Sequence, residues 1–339
     1  QKTRARQDQK IDAQDWQVLR PENPHSKFIG YDCLDASIDI TAWRSIEQKG
    51  KKQFHVQFNQ TPFYPEGGGQ VGDCGVLESK EGRFAILGTK RTPDGIIHIF
   101  NALPQNLKVT FKALVDAKAR TASACHHTAT HLLHHALRSV LGTHVVQKGS
   151  LVNPDYLRFD FAHFQKITTE ELQDVENRVN EMIINGLKSI ENRASTLEQA
   201  QAAGAMALFG EKYGKTVRTI QFGASIELCG GIHVQNTADV FVFKIKSESA
   251  ISAGVRRIEA ITAGRAESYV NQRLDTLIQI ESAFKNPTNV LQQVESLMDE
   301  NRQLQKKISK LQDLEVAQLK TQLRDKVMEI DSINYLAEK

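Results

Sequence analysis

The chain has 339 residues, enough for two or three domains with cores of their own. With 24% charged and 40% hydrophobic residues it excludes long disorder, and a formal charge of +3 neither demands nor excludes a nucleic-acid partner. No apolar run approaches a bilayer span, and the charged segment Gln1–Lys10 has no apolar core of a secretory signal. The first residue is Gln1 rather than Met, which reads as the start of a fragment of a longer protein. Cys33, Cys74, Cys125 and Cys229 are too few for a disulfide framework, so a reducing cytoplasm is expected.

In chain order, residues 1–26 read as a charged helical lead-in. Residues 27–118 carry short alternating runs such as Gln53–Phe58, Arg83–Leu87 and Gly95–Phe100, bounded by Gly, Pro, Asn and Asp. That period-two pattern predicts a β-rich, barrel-like subdomain whose last strand is Val109–Asp116. Residues 119–265 mix both periodicities. A helix is expected over Ala117–Leu141 with Gly142 as its cap, and a strand over Leu151–Phe161. A second helix is expected from Thr168, with Leu172, Val175, Val179, Met182 and Ile183 on one face. A further helix is expected over Thr196–Gly210, and strands over Thr216–Ile220, Val240–Ile245 and Arg256–Ile261. This order has no simple βαβ alternation, so the fold class is α+β. Residues 266–339 contain no Gly, and their only Pro, Pro287, divides two helices. Val290, Val294, Leu297, Asn301, Leu304, Ile308 and Leu311 alternate four and three apart, the seam of a coiled coil. The alternatives for that stripe are self-association, an antiparallel helical hairpin, or packing on the protein's own core.

Two pairs with i, i+4 spacing stand out: His127 with His131, and Cys229 with His233. On a helix the first pair shares a face. In the second, Gly230 and Gly231 permit a tight turn that can bring thiolate and imidazole together. Three imidazoles and one thiolate complete a tetrahedral set, and mixed N and S donors favour one Zn²⁺ over Mg²⁺ or Ca²⁺. Four protein ligands point to a structural ion; a catalytic one would need an open position. His134, three residues after His131, is a candidate to support the ligands from behind. The glycine-rich stretch Pro62–Asp73 lacks the Gly-Lys-Ser/Thr of a Walker loop, and no helix pattern follows it as in a dinucleotide fingerprint. It reads either as a bulged turn or as backbone closing on a ligand. Gln147, Lys148 and Ser150 could project toward the histidine helix, and Ser247–Arg257 reads as a small-residue loop with two arginines.

The ordered motifs Pro65–Asp73, His127–Leu133, Cys229–His233 and Gly254–Glu259 resemble the alanyl-tRNA synthetase family. The resemblance covers the editing domain and the start of the C-terminal dimerisation region, from about Ala5 to at least Tyr269. It implies zinc held by the positions of His127, His131, Cys229 and His233. It implies an editing pocket at Thr130, Gln147 and Ser150, closed by Gly68, Gly69 and Gln70, with Arg256 and its neighbour Arg257 toward the tRNA. The implied activity is hydrolysis of mischarged Ser-tRNA(Ala) and Gly-tRNA(Ala); the implied partners are tRNA(Ala) and a second copy. The aminoacylation domain is not expected here, nor ATP chemistry. The chain departs from the family pattern at Ile232, where Thr is usual, and at His126, where Asn is common. Cys125 and His126 are therefore alternative donors near the site. Two competing readings are a structural zinc module that binds tRNA and dimerises without hydrolysis, and a free-standing editing relative.

Overall fold

The computed structural model describes residues 12–21, 26–48, 50–206, 214–284, 288–331 and 333–336. It divides into two units, Gln1–Ser268 and Tyr269–Lys339. The described residues form a mixed α and β protein with antiparallel sheets and five α-helices.

The first unit begins with β1 (Asp12–Ala13), β2 (Gln17–Val18), β3 (Lys27–Phe28) and β4 (Asp35–Gln48). There follow β5 (Lys51–Phe58), β6 (Gln60–Thr61), β7 (Gly75–Ser79), β8 (Gly82–Ile86), β9 (Gly88–Thr92), β10 (Gly95–Phe100) and β11 (Thr110–Val115). Nine of these form one sheet in the order β8-β7-β11-β4-β5-β10-β9, with β1 and β2 on β4, while β3 and β6 make a parallel pair. Alternation sets the faces: along β11, Phe111, Ala113 and Val115 are buried while Thr110 and Lys112 are exposed. The buried face joins Ile38, Val56, Phe58, Leu77, Phe100 and Phe111 in one core. The lead-in differs from the expected helix. Residues 1–11 and 22–25 lie outside the described residues, and Asp12–Ala13 and Gln17–Val18 are short strands on β4. The open edge of a long strand supplies backbone partners that outweigh local helix propensity.

The rest of the first unit runs α1 (Ala117–Leu141), β12 (Gln147–Val152), β13 (Leu157–Ala162), α2 (Thr169–Ile184) and β14 (Ser189–Ser195). It continues through α3 (Leu197–Ala202), β15 (Val217–Phe222), β16 (Ser225–Leu228), a 3₁₀ turn (Thr237–Val240), β17 (Phe243–Ser252) and β18 (Val255–Thr262). Asp116 caps α1 by accepting from the Ala119 N–H, and Gly142 ends it at φ 113°. Thr168 and Glu171 form a capping box on α2, which buries Val175, Val179 and Ile183. Two sheets, β12-β13-β18-β17 and β14-β15-β16, contribute to one core with α1 and α2.

Four expected elements differ. The strand expected over Leu151–Phe161 is two strands, because Asn153 Oδ1 accepts from the Asp155 and Tyr156 N–H groups and turns the chain. The Ser247–Arg257 loop is a hairpin of β17 and β18, turned at Gly254 with φ 71°. The strand expected from Val240 starts at Phe243, since the 3₁₀ turn ends at Phe241 with φ 66°. The helix expected over Thr196–Gly210 stops at Ala202, with Gly204 at φ 85°; residues 207–210 lie outside the described residues.

The second unit contains most of α4 (Ala263–Ala283), then α5 (Val290–Asp325) and a hairpin of β19 (Met328–Ile330) and β20 (Ile333–Tyr335). Asn289 caps α5 through the Gln292 N–H; Pro287, expected to part the helices, lies outside the described residues. Leu297, Leu304, Ile308 and Leu311 on the expected seam are all exposed. No helix among the described residues is long and apolar enough to cross a membrane.

Candidate metal centre

His127 and His131 lie one turn apart on α1, with ring centroids 5.4 Å apart. Cys229 follows β16 directly, where its N–H donates to the Arg218 carbonyl at 3.0 Å. The chain then turns through Gly230 and Gly231 to His233. One ligand atom from each of His127, His131, Cys229 and His233 lies within 4.8 Å of every other. Cys229 Sγ is 3.4 Å from His127 Nε2 and 3.3 Å from His233 Nε2, and it accepts from the Gly231 N–H.

Neighbouring side chains settle which ring nitrogens face inward. His127 Nδ1–H donates to Gln70 Oε1 at 2.8 Å, leaving the Nε2 lone pair toward Cys229. His233 Nδ1 pairs with Thr128 Oγ1 at 3.1 Å, with the same effect. Glu227 joins two histidines, 3.0 Å from His134 Nδ1 and 3.5 Å from His131 Nε2. His131 Nδ1 is buried without a hydrogen-bond partner. Burial holds His127 and His233 well below the ordinary histidine range and lowers His131 as well. The three imidazoles are therefore neutral at pH 7, the state that donates a lone pair to a metal. Burial pushes the Glu227 carboxyl up, but His131 and His134 pull it net downward, so it stays charged. The donor set, the orphaned nitrogen and the buried carboxylate all fit a divalent cation of the Zn²⁺ kind.

The glycine-rich loop reaches this cluster from the other side. Gly67 and Gln70 exchange backbone hydrogen bonds, and the loop is fastened to β12 by Val71 N–H to Val152 O and Val152 N–H to Gly69 O. Gly69 has φ 80°, and a Cβ there would fall 2.1 Å from Ser150 Oγ. Gln70 is buried, and its Oε1 accepts from both His127 Nδ1–H and the Ile232 N–H. Loop and candidate metal ligands therefore meet at one amide. Outside it opens a cleft of about 450 Å³ lined by Glu66, Gly69, Gln70, Lys90, Arg91 and Ser150. The loop's far end is held by Asp73, which accepts from the Tyr64 N–H and pairs with buried Arg120 of α1. Arg120 also donates to the carbonyls of Gly30 and Pro62 at 2.8 Å each.

A family model described as the threonyl and alanyl tRNA synthetase second additional domain matches residues 217–259, reaching from β15 into β18 and including the candidate ligands Cys229 and His233. A model of class II (A) tRNA synthetases matches residues 1–119. Alanine–tRNA ligase of Christiangramia forsetii is 48% identical over 100% of this chain, which covers 39% of that protein. The alanine–tRNA ligases of Flavobacterium psychrophilum and Porphyromonas gingivalis are 45% and 43% identical over 99% and 95% of the chain. The chain belongs to the alanyl-tRNA synthetase family. It spans about two fifths of the length of these family members, 39%, 39% and 37% respectively.

The remaining candidates of this family member are distributed unevenly. Gly69, Gln70 and Ser150 line the cleft, and Gln147 Nε2 donates to Ser150 Oγ at 3.3 Å. Gly68 has φ 56° with open space around it. Thr130 is buried and donates to the His126 carbonyl one turn back, so its proton is not turned to the cleft. The alternative donors Cys125 and His126 are not in the cluster. Cys125 Sγ lies against the Asp239 carbonyl, its thiol pushed up to about 11 by burial. His126 pairs with the Asn153 carbonyl and accepts from the Thr262 N–H, and burial lowers it to about 4. Arg256 is buried against Glu248, and Arg257 forms a two-pronged pair with Asp160 at 2.7 and 2.8 Å. Adjacent on one strand, the two arginines project to opposite faces, each with an internal carboxylate partner. Glu227 and Thr128 were not singled out from the sequence. Glu227 stands two residues before Cys229, a spacing that shares a strand face; Thr128 carries no comparable signal.

Proposed function

We propose that the chain is an editing segment that hydrolyses the ester of Ser-tRNA(Ala) and Gly-tRNA(Ala) in the cleft beside the metal centre. The reading is carried by Gln70, which lines the cleft and accepts a hydrogen bond from the ligand His127. His127, His131, Cys229 and His233 would hold Zn²⁺. Bound there, Zn²⁺ would supply positive charge to orient the substrate and polarise its carbonyl. The chain's own groups do the selecting. Gln147 and Ser150 form a polar pair at the cleft that can exchange hydrogen bonds with a serine hydroxyl. Alanine offers no such partner, and an unpaired polar group at a closed site costs binding. Lys90 and Arg91 on the cleft wall suit the phosphates of a tRNA end. No side-chain nucleophile is required, since the attacking group is water. The same reading gives the chain tRNA(Ala) as partner, the cytoplasm as compartment, and, in the full-length protein, a homodimer formed through the C-terminal helices.

Serine release from Ser-tRNA(Ala), with Ala-tRNA(Ala) as control, tests this on the metal-loaded chain and on His131→Ala and Cys229→Ala variants. The expected result is fast release from Ser-tRNA(Ala) and not from Ala-tRNA(Ala), lost in both variants. Variant rates equal to the parent would remove the metal centre from the chemistry. A loaded chain that binds tRNA without hydrolysing it would establish the structural-module reading, which the closed set of four protein ligands favours.

A further inference from the structure

Arg218, on β15, lies directly behind the turn that carries Cys229. Its Nη1 donates to the Cys229 carbonyl at 2.9 Å and to the Gly231 carbonyl at 2.6 Å. Tyr31 Oη donates to the carbonyl between them, that of Gly230, at 2.7 Å. Three successive carbonyls are thus held from one side, at the two glycines where the backbone has most freedom to lose. The brace is itself braced. The Arg218 guanidinium sits 4.2 Å from the Tyr31 ring centroid, and Arg193 sits 5.0 Å from it. Arg193 makes two bonds to Asp32, at 2.9 and 2.8 Å, and both arginines pair with Glu191.

We propose that Arg218, backed by Tyr31, is a positioning residue for the metal centre, shaping the Cys-Gly-Gly turn so that Cys229 and His233 face the ion before it binds. The proposal rests on the reading of those four side chains as metal ligands. It makes Lys only a partial substitute for Arg218, because a single ammonium cannot reach two carbonyls and Glu191 together as the guanidinium's fixed fork does. A plain folding brace would lower stability without changing metal affinity. A positioning residue lowers affinity even in a chain that remains folded.

The test titrates the metal-stripped full chain with Co²⁺ against a competing chelator, following the thiolate-to-cobalt absorption band, with thermal melts of the metal-free proteins alongside. The parent should bind one equivalent with a thiolate band. Arg218→Gln should bind roughly 10–100-fold more weakly, the range for lost partners behind a metal ligand. Tyr31→Phe, which keeps the ring and loses one hydrogen bond, should lose roughly 3–10-fold. Arg218→Lys should fall between parent and Arg218→Gln. If Arg218→Gln does not fold, Tyr31→Phe and Arg218→Lys decide. Parent-like affinity and band in the folded variants overturn the proposal alone, whereas a parent that takes up no Co²⁺ overturns the metal reading beneath it.

Discussion

Gly231 is the residue on which the metal centre leaves least room. A Cβ there would lie 1.9 Å from His127 Cε1, 2.3 Å from His127 Nδ1 and 3.0 Å from Gln70 Oε1. Its φ is not in the left-handed region, so the constraint is space rather than backbone conformation. Gly231→Ala must therefore push the His127 ring off its bond to Gln70 or lift the turn. We expect it to weaken Co²⁺ or Zn²⁺ binding at least as much as Arg218→Gln while leaving secondary structure by circular dichroism unchanged; parent-like affinity would mean that the turn yields freely. The four candidate ligands were legible in the sequence because spacing and residue type mark them, whereas Gln70 was legible only through the family resemblance. Of the supporting shell only His134, three residues after His131, was marked. Glu227, Thr128 and Tyr31 act through contacts spanning between 93 and 199 residues, and Arg218 through one spanning 11 that forms only once β15 and β16 pair, so no local pattern encodes them.

Among the elements, α1 organises the site. Its middle carries the candidate ligands His127 and His131, and Arg120, nearly two turns before His127, ties the helix to the glycine-rich loop through Asp73. Burial pushes the Asp73 carboxyl up, and the Arg120 guanidinium pulls it back part of the way. Arg120→Met would leave that carboxylate buried without its counter-ion, a loss of about 3–5 kcal/mol. Without the guanidinium, the folded-state pKa of Asp73 rises further above its unfolded value. The folded variant then binds an extra proton at low pH, so its deficit shrinks as pH falls and grows as pH rises. Urea unfolding of parent and variant at pH 7.5 and pH 5 measures this; an equal deficit at both values would mean that Asp73 is not the group left stranded. Helix α1 was readable because its cap, length and terminal Gly142 agree. The stretch Ser247–Arg257 was misread because small polar residues mark turns in isolation. Pairing with β18 overrides that preference, and only Ala253 and Gly254 remain in the turn.

At the scale of the whole molecule, α5 is the helix with no buried residue among its 36. Leu297, Leu304, Ile308 and Leu311 recur along one stripe at 53%, 49%, 55% and 65% exposure. Isolated exposed leucines are ordinary, but a stripe at alternating spacings of three and four is the pattern that a second helix covers. The polar Asn301 within the seam adds a reason for a defined register, since a buried amide is satisfied only opposite a matching partner. We expect the chain to sediment as a dimer at about tens of micromolar, an order of magnitude suited to a short coiled coil. Leu304→Glu with Ile308→Glu should return it to a monomer, with metal affinity unchanged because neither residue belongs to the unit that holds the candidate ligands. A parent that remains monomeric at that concentration would assign the stripe to another partner. A dimer that survives both substitutions would place the interface elsewhere on the chain.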